Sequence, residues 1–152
     1  MAKPRVLISA CLCGQACRYD GRTAAREDCV RLAKAGIALP VCPELLGGLP
    51  VPRAPCEISG GRVLTAVGLD CTAAFEKGAQ AALALARKHG IRQAVLKERS
   101  PSCGTSLVYD GSFAGNLVPG QGMCTALFRR SGVQVYAEES VEADAIIRQL
   151  SS

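Results

Sequence analysis

The sequence predicts an α/β fold of three layers, in which an open, mainly parallel sheet carries helices on both faces and a small β-hairpin is added. Short runs of branched apolar residues, typical of buried strands, alternate with longer segments of helical periodicity. Such alternation is typical of parallel strands joined by helical crossovers. The chain has 152 residues, of which 49% are hydrophobic, and this suffices for one domain with a real core.

The first strand and the first helix are separated by a cysteine-containing loop. Residues 5–10 are short, apolar and branched, and they predict a buried strand. After the loop 11–21, a helix is expected over about 24–35, with Gly36 as its C-terminal stop. The apolar stripe of this helix is expected at Cys29, Val30 and Ala33.

A second strand is expected over 37–41, and it breaks at Cys42, Pro43 and Glu44. Residues 46–55 are dense in Gly and Pro and predict a loop. Irregular segments of this length in a small domain are usually functional. Residues 62–65 predict a short strand that pairs with a neighbour as a ribbon.

The longest helix is expected to end at Lys88, with Asp70 or Thr72 as its N-terminal cap. Its buried face shows the i, i+4, i+7 spacing of one helical side. The residues of this face are Phe75, Ala79, Ala82, Leu83 and Ala86. A third buried strand follows over 93–97.

The last third of the chain predicts a hairpin over 107–113, turned at Asp-Gly, and then one more α–β–α unit. This unit comprises a helix over 124–130, a strand over 133–136 and a helix over 140–150. The last helix is expected to be buried through Val141, Ile146, Ile147 and Leu150. The resulting element order is Rossmann-like.

Composition excludes several classes of protein. No run approaches the roughly 20 apolar residues of a membrane span, and the start of the chain lacks a signal-peptide core, so a cytoplasmic protein without membrane association is expected. The net charge of +5 is mildly basic, but the basic residues are not interleaved with aromatic ones. Nucleic-acid binding is therefore not expected.

Nine cysteines are unusual for such a chain. Their odd number and the expected cytoplasmic setting argue against a disulfide scaffold. Some are expected to be core residues, because a free cysteine packs as a small hydrophobic group. The others need a chemical explanation.

Three cysteines share one position relative to the predicted strands. Cys11, Cys42 and Cys103 follow the first, second and third core strands. Ligands of open α/β sheets bind outside the carboxyl ends of the parallel strands, and neighbouring strands lie about 5 Å apart. The three thiols can therefore converge on one small object.

The donor set favours an iron–sulfur cluster over zinc. Structural zinc takes four N or S ligands, often in paired CxxC motifs, whereas this chain has no CxxC and a single histidine, His89, expected at a helix end. A cluster accepts dispersed cysteines. Three thiolates would leave one iron without a protein ligand, free for chemistry.

Several separated motifs make the chain resemble the thiouracil desulfurase family, formerly a bacterial domain family of unknown function. They occur in the family's order over about residues 5–139. The motifs are ISACLCG (8–14), RYDG (18–21), CPELLGGLPVPR (42–53), GLDCTAAFEKGA (68–79), LKERSPSCG (96–104), VYDGSF (108–113) and GQG (120–122).

The resemblance implies a 4Fe–4S cluster held by Cys11, Cys42 and Cys103, and catalytic roles for Glu44 and Ser100. It also implies one desulfurase-like domain over 1–152, a small thiolated substrate, and the iron–sulfur assembly machinery as a partner. The chain departs from the family pattern by additional cysteines. Two of these, Cys13 and Cys17, lie so close to Cys11 in sequence that either could compete for iron.

The hypothesis is a non-redox desulfuration, such as 2-thiouracil to uracil and hydrosulfide, in which the open iron binds the thione sulfur. Glu44 would deprotonate a water and Ser100 would position or relay a proton. A non-catalytic iron–sulfur or metal-binding module for sulfur handling or sensing is the alternative. A thiol redox protein that uses Cys11 with Cys13 or Cys17 is a third possibility.

Overall fold

The computed structural model describes residues 3–152, so the first two residues of the predicted domain lie outside the described part. The strands are β1 (Val6–Ser9), β2 (Ala38–Val41), β3 (Cys56–Ser59), β4 (Arg62–Thr65), β5 (Gln93–Leu96), β6 (Leu107–Tyr109), β7 (Leu117–Pro119) and β8 (Gln134–Ala137). The helices are α1 (Glu27–Lys34), α2 (Pro43–Leu46), α3 (Thr72–Lys88), α4 (Met123–Arg130) and α5 (Val141–Leu150), and a 3₁₀ turn (Ala10–Cys13) follows β1 directly. Within residues 3–152, no helix has the length and apolar character needed to cross a membrane.

A four-stranded sheet in the order β2–β1–β5–β8 forms the centre of the fold. All three strand pairings are parallel. Because the strands run in one direction, the loops after β1, β2 and β5 emerge at the same edge of the sheet. The mainly parallel sheet predicted from the sequence is confirmed.

Each face of the sheet is covered by two helices. Leu7 points to one face and packs with residues of α3 and α4, including Phe128. Val6 and Ile8 point to the other face and pack with residues of α1 and α5, including Ile147. This alternation follows from the two-residue period of a strand, and it confirms the three predicted layers.

Two antiparallel ribbons lie outside the central sheet, β3 with β4 and β6 with β7. The sequence analysis placed a strand at 62–65 but did not identify its partner β3. The predicted hairpin after residue 107 exists, but its Asp-Gly turn was wrong, because β6 and β7 are joined through residues 110–116. The Asp110 carboxylate instead accepts the amide hydrogen of Ser112 at 2.9 Å, which forms a local turn inside that longer loop.

The helix boundaries agree with the sequence patterns to within a few residues. In α1 the buried residues are Cys29 and Leu32, so the expected stripe of Cys29, Val30 and Ala33 was wrong in part. The N-cap of α3 is Cys71, which lies between the two residues expected for that role.

The expected buried face of α5 was wrong at one position. Ser140 is the N-cap of α5, and its hydroxyl accepts the amide hydrogen of Ala143 at 3.1 Å. Val141 was expected to be buried but is 81% exposed. The buried residues are Ala143 and Ile147, which are four positions apart and therefore lie on the same side of the helix. Val141 is two positions before Ala143 and points to a different side.

The short helix α2 lies unusually close to α3. A Cβ atom at Gly47 would stand 2.0 Å from the carbonyl oxygen of Ala74, and a Cβ atom at Gly78 would stand 1.8 Å from that of Pro43. Only glycine fits at such distances. The close packing places the first turn of α2, which carries Glu44, beside the loops at the carboxyl edge of the sheet.

Candidate functional site

The loops after β1, β2 and β5 enclose a cavity of about 410 Å³. The structure places all five sequence-predicted site residues in its wall. They are Cys11, Cys42, Glu44, Ser100 and Cys103. Their roles as ligands and catalytic groups stay predictions, but all five lie together at the carboxyl edge of the sheet.

Each of the three cysteines is held by the element that follows a core strand. Cys11 lies in the 3₁₀ turn after β1 and is buried. Cys42 is the N-cap residue of α2, directly after β2. Cys103 is buried in the loop that follows β5. Parallel strand order thus brings together side chains that are far apart in sequence.

A fourth thiol, that of Cys17, belongs to the same wall. Hydrogen bonding to Cys11 raises the pKa of Cys17 to about 11, although contact with Cys42 opposes the rise. The Cys42 thiol donates to the Cys17 carbonyl at 3.9 Å. Cys13, the other extra cysteine near Cys11, packs against the core under α1 and α5 and does not line the cavity.

The thiols of Cys42 and Cys103 favour the protonated form in the absence of a cationic partner. Burial raises the pKa of Cys103 to about 12, and the charge of Glu44 adds to the rise. Hydrogen bonding to Cys17 and burial also raise the pKa of Cys42 far above its usual range. A metal centre would reverse this by stabilising the thiolate forms.

Ser100 and Glu44 form a polar contact inside the cavity. The Ser100 hydroxyl donates to Oε1 of Glu44 at 3.3 Å. The Ser100 oxygen in turn accepts the amide hydrogens of Ser102 and Cys103, both at 3.0 Å. Because both acceptor positions of that oxygen are used, its own proton is directed to the carboxylate.

Arg53 holds Glu44 from the other side, and sequence reasoning did not identify it. Its Nε donates to Oε2 of Glu44 at 2.8 Å, and its terminal nitrogens donate to the carbonyl oxygens of Cys17 at 2.9 Å and Pro50 at 3.1 Å. The side chains of Arg53 and Glu44 are only 8% and 15% exposed. Arg53 is the single charged residue of the loop 46–55. A lone charge in a Gly- and Pro-rich loop was the one sequence feature that could have pointed to a functional role.

The two charged residues after β5, Lys97 and Glu98, each have partners elsewhere in the fold. Lys97 pairs with Glu138 at 3.3 Å. The buried Glu98 carboxylate accepts the amide hydrogen of Thr105 at 2.7 Å and that of Ser106 at 3.2 Å. Burial opposes its charge, yet the hydrogen bond from the Thr105 hydroxyl and those from the amides prevail and lower the pKa of Glu98 to about 2. Glu98 therefore shapes the loop that carries Ser100 and Cys103.

Aromatic side chains form another part of the wall, namely Tyr19, Phe75, Tyr109 and Phe113. Phe113 has a positive φ of 58°, which is unfavourable for a residue with a side chain. Its amide hydrogen is accepted by Glu57 at 3.1 Å, which holds the loop 110–116 in place. Arg18 also lines the cavity, whereas Asp20 forms a turn by accepting the amide hydrogen of Arg22 at 3.0 Å.

The thiols do not close on a single metal ion. Among residues 3–152, no group of three His, Cys, Asp or Glu side chains is arranged to hold one ion. Sulfur ligands around one zinc ion would lie only about 4 Å apart, since each bond is about 2.3 Å. Cysteines on three separate loops around an open cavity are better suited to a larger inorganic group.

Comparisons with known proteins give a consistent result. A model of the 2-thiouracil desulfurase family matches residues 6–140. The uncharacterized protein YbbK of Bacillus subtilis (strain 168) is 39% identical over 146 residues, which cover 90% of this chain and 97% of that protein. The solved structure of the [4Fe-4S]-dependent thiouracil desulfidase TudS is 46% identical, covers 97% of this chain and 99% of its own, and superimposes with a TM-score of 0.89.

Proposed function

This chain belongs to the 2-thiouracil desulfurase family, and we propose that it removes sulfur from a thiolated nucleobase such as 2-thiouracil. The observation that carries the proposal is the meeting of Cys11, Cys42, Cys103, Glu44 and Ser100 in the wall of one cavity. Its volume of about 410 Å³ lies in the range of small-molecule sites. The likeness to a thiouracil desulfidase over nearly the whole chain supports the same reaction.

We propose that Cys11, Cys42 and Cys103 hold a 4Fe–4S cluster. Three cysteine thiols are the donors such a cluster takes, and they open on a shared cavity. The resemblance to a [4Fe-4S]-dependent structure supports the choice of cluster. When bound by three thiolates, the cluster supplies an iron without a protein ligand, which acts as a Lewis acid toward a thione sulfur.

Glu44 is proposed as the general base. Its Oε2 is anchored by Arg53, so the carboxylate is fixed in direction, while Oε1 faces the weaker contact with Ser100. A water at that oxygen would lose its proton to Glu44 as it attacks the thione carbon. The C–S bond then breaks as the carbonyl of the product forms, the hydroxyl proton of the adduct passes to the sulfur, and the sulfur departs as hydrosulfide. The proton held by Glu44 is returned to solvent. No electrons are gained or lost overall.

Ser100 is proposed to position the proton. Two backbone amides polarise its hydroxyl and direct its hydrogen to Glu44. The hydroxyl therefore orients the carboxylate that accepts the proton of the attacking water. The same loop supplies Cys103, so the cluster ligand and the proton-positioning group move as one unit.

The alternatives have less support. A thiol redox protein requires a cysteine with a lowered pKa, whereas hydrogen bonding and burial raise that of Cys17 to about 11 and burial raises that of Cys13 to about 12. A non-catalytic cluster carrier would not need an oriented carboxylate and hydroxyl beside the thiols. The Glu44–Ser100 contact therefore favours the enzyme.

The proposal is tested by anaerobic purification followed by iron, sulfide and turnover assays. Iron and acid-labile sulfide in the wild type, their loss in Cys103→Ala, and sulfide release from 2-thiouracil are the expected results. An intact cluster without sulfide release would exclude this substrate and favour the carrier. We further propose that residues 1–152 act as a single domain that receives its cluster from the iron–sulfur assembly machinery.

A further inference from the structure

We propose that Cys17 is a reserve ligand, able to coordinate the cluster in place of Cys11 or Cys42. The inference rests on the proposed function, since it requires the cluster. Cys17 is only 4% exposed, and it lines the same cavity as the three proposed ligands. Cys17 packs in the same hydrophobic cluster as Cys11 and Cys42, and the Cys42 thiol donates to the Cys17 carbonyl at 3.9 Å.

The backbone at Cys17 is fixed in this position. Arg53 donates to the Cys17 carbonyl at 2.9 Å, and the Cys42 thiol donates to the same oxygen at 3.9 Å. Arg53 is itself anchored on Glu44. The residue that carries the fourth sulfur is therefore held beside Cys42 and the pair of Arg53 with Glu44.

The other thiols do not offer this replacement. Cys13 and Cys29 pack in the core on the α1 and α5 side of the sheet, and Cys124 is a buried residue of α4; none of the three lines the cavity. Cys56 lines the cavity, but it lies in β3, and its thiol donates to the Ala54 carbonyl at 3.8 Å. Among the described residues, Cys17 is the further cavity-lining thiol that packs in the same cluster as Cys11 and Cys42.

The arrangement is asymmetric, and this makes the inference testable. Replacement of one thiolate by another preserves both the ligand type and the charge that iron requires. Cys17 packs with Cys11 and Cys42 in the cluster on the α1 and α5 side of the sheet, whereas Cys103 packs in the cluster on the α3 and α4 side. Loss of Cys103 should thus be more damaging than loss of either other ligand.

The experiment compares Cys11→Ala, Cys42→Ala and Cys103→Ala, each with and without Cys17→Val, after anaerobic reconstitution. Iron and acid-labile sulfide per chain and the visible absorption are measured. Cys11→Ala and Cys42→Ala should retain about half or more of the wild-type cluster, and their Cys17→Val doubles about a tenth or less. Cys103→Ala should be empty in either background, while Cys17→Val and the control Cys13→Leu should remain loaded.

A second readout shows that the ligand has changed. The electron paramagnetic resonance spectrum of reduced Cys42→Ala should differ from that of the wild type and vanish in the double variant. Circular dichroism identifies any variant that does not fold, and Cys42→Ser then replaces Cys42→Ala in the comparison. The inference is overturned if Cys11→Ala and Cys42→Ala are as empty as Cys103→Ala, or if the doubles stay loaded. A wild type without iron and sulfide would instead overturn the proposed function.

Discussion

The hydroxyl of Ser100 donates to the carboxylate of Glu44 at 3.3 Å, although 56 positions separate the two residues. The contact joins the loop after β5 to the helix after β2. It gives the cavity a proton-accepting group and a proton-holding group in one place, beside two of the proposed ligands, Cys42 and Cys103.

Replacement of Glu44 by Gln should abolish the proposed base without changing the shape of the cavity. Sulfide release should fall about 100-fold or more, which is the usual contribution of a general base. Iron and sulfide content should stay at the wild-type value, because Gln retains the packing of α2. A variant that loses its cluster would show that Glu44 is a structural residue.

Ser100 and Ser102 offer a matched comparison within one loop. Ser100→Ala leaves the amides of Ser102 and Cys103 without their acceptor, so it should lower the free energy of unfolding by about 1–2 kcal/mol and slow turnover. Ser102 has a buried hydroxyl oxygen for which no hydrogen-bond partner is found among residues 3–152. Ser102→Ala should therefore cost little in urea denaturation. Equal losses in the two variants would contradict this account of Ser100.

The ion pair of Arg53 with Glu44 should matter more than that of Arg62 with Asp70. Arg53→Met leaves a mostly buried carboxylate without its partner and should destabilise the fold by about 2–3 kcal/mol. The pair of Arg62 with Asp70 is exposed, at 60% and 41% of the two side chains, so Arg62→Met should change stability little. Thermal unfolding of both variants provides the measurement, and a reversed order would refute the assigned role of Arg53.

The contribution of the Glu98 carboxylate to folding stability should disappear at low pH. Its folded pKa of about 2 lies below the ordinary value of about 4.3. The carboxylate therefore stabilises the fold above the ordinary value, and this contribution is lost as the pH falls through about 2. Glu98→Gln should be less stable than the wild type at pH 7, by about 2 kcal/mol, and the two curves should converge near pH 2. Parallel curves would contradict the assignment, and exposed Glu139→Gln is the control.

Phe113 should contribute to substrate binding more than to the chemical step. Its ring lines the cavity and offers an apolar face to a planar base. Phe113→Leu should raise KM about tenfold with a smaller change in kcat, whereas Phe113→Tyr should keep the wild-type KM. Steady-state kinetics with 2-thiouracil measures both constants. A fall in kcat with no change in KM would contradict the binding role and indicate that Phe113 acts in the chemical step.

The central sheet could be predicted because its strands are short apolar runs between turn-forming residues, and because helical periodicity separates them. The same reasoning placed Cys11, Cys42 and Cys103 at one edge, since strand direction fixes where each loop emerges. The roles given to Glu44 and Ser100 came from the family resemblance. No residue pattern alone distinguished them from surface groups.

What escaped prediction depends on contacts between loops. Arg53 lies in a Gly- and Pro-rich segment without periodicity, so nothing in the local sequence points to its partner Glu44. Strand β3 begins with Cys56 and Glu57 and lacks the apolar run that marked the core strands. The buried carboxylate of Glu98 accepts hydrogen bonds from backbone amides and a hydroxyl that no local sequence pattern reveals.

The two glycines between α2 and α3 have a consequence for variation in this protein. Neither Gly47 nor Gly78 carries a functional group, yet a single methyl at either would collide with the backbone of the opposite helix. Such a collision would force α2 away from α3. The carboxylate of Glu44 would then lose its contact with Ser100, although no reactive side chain had been replaced. Substitutions at these two glycines can therefore abolish the activity of this protein, even though neither residue has a reactive side chain.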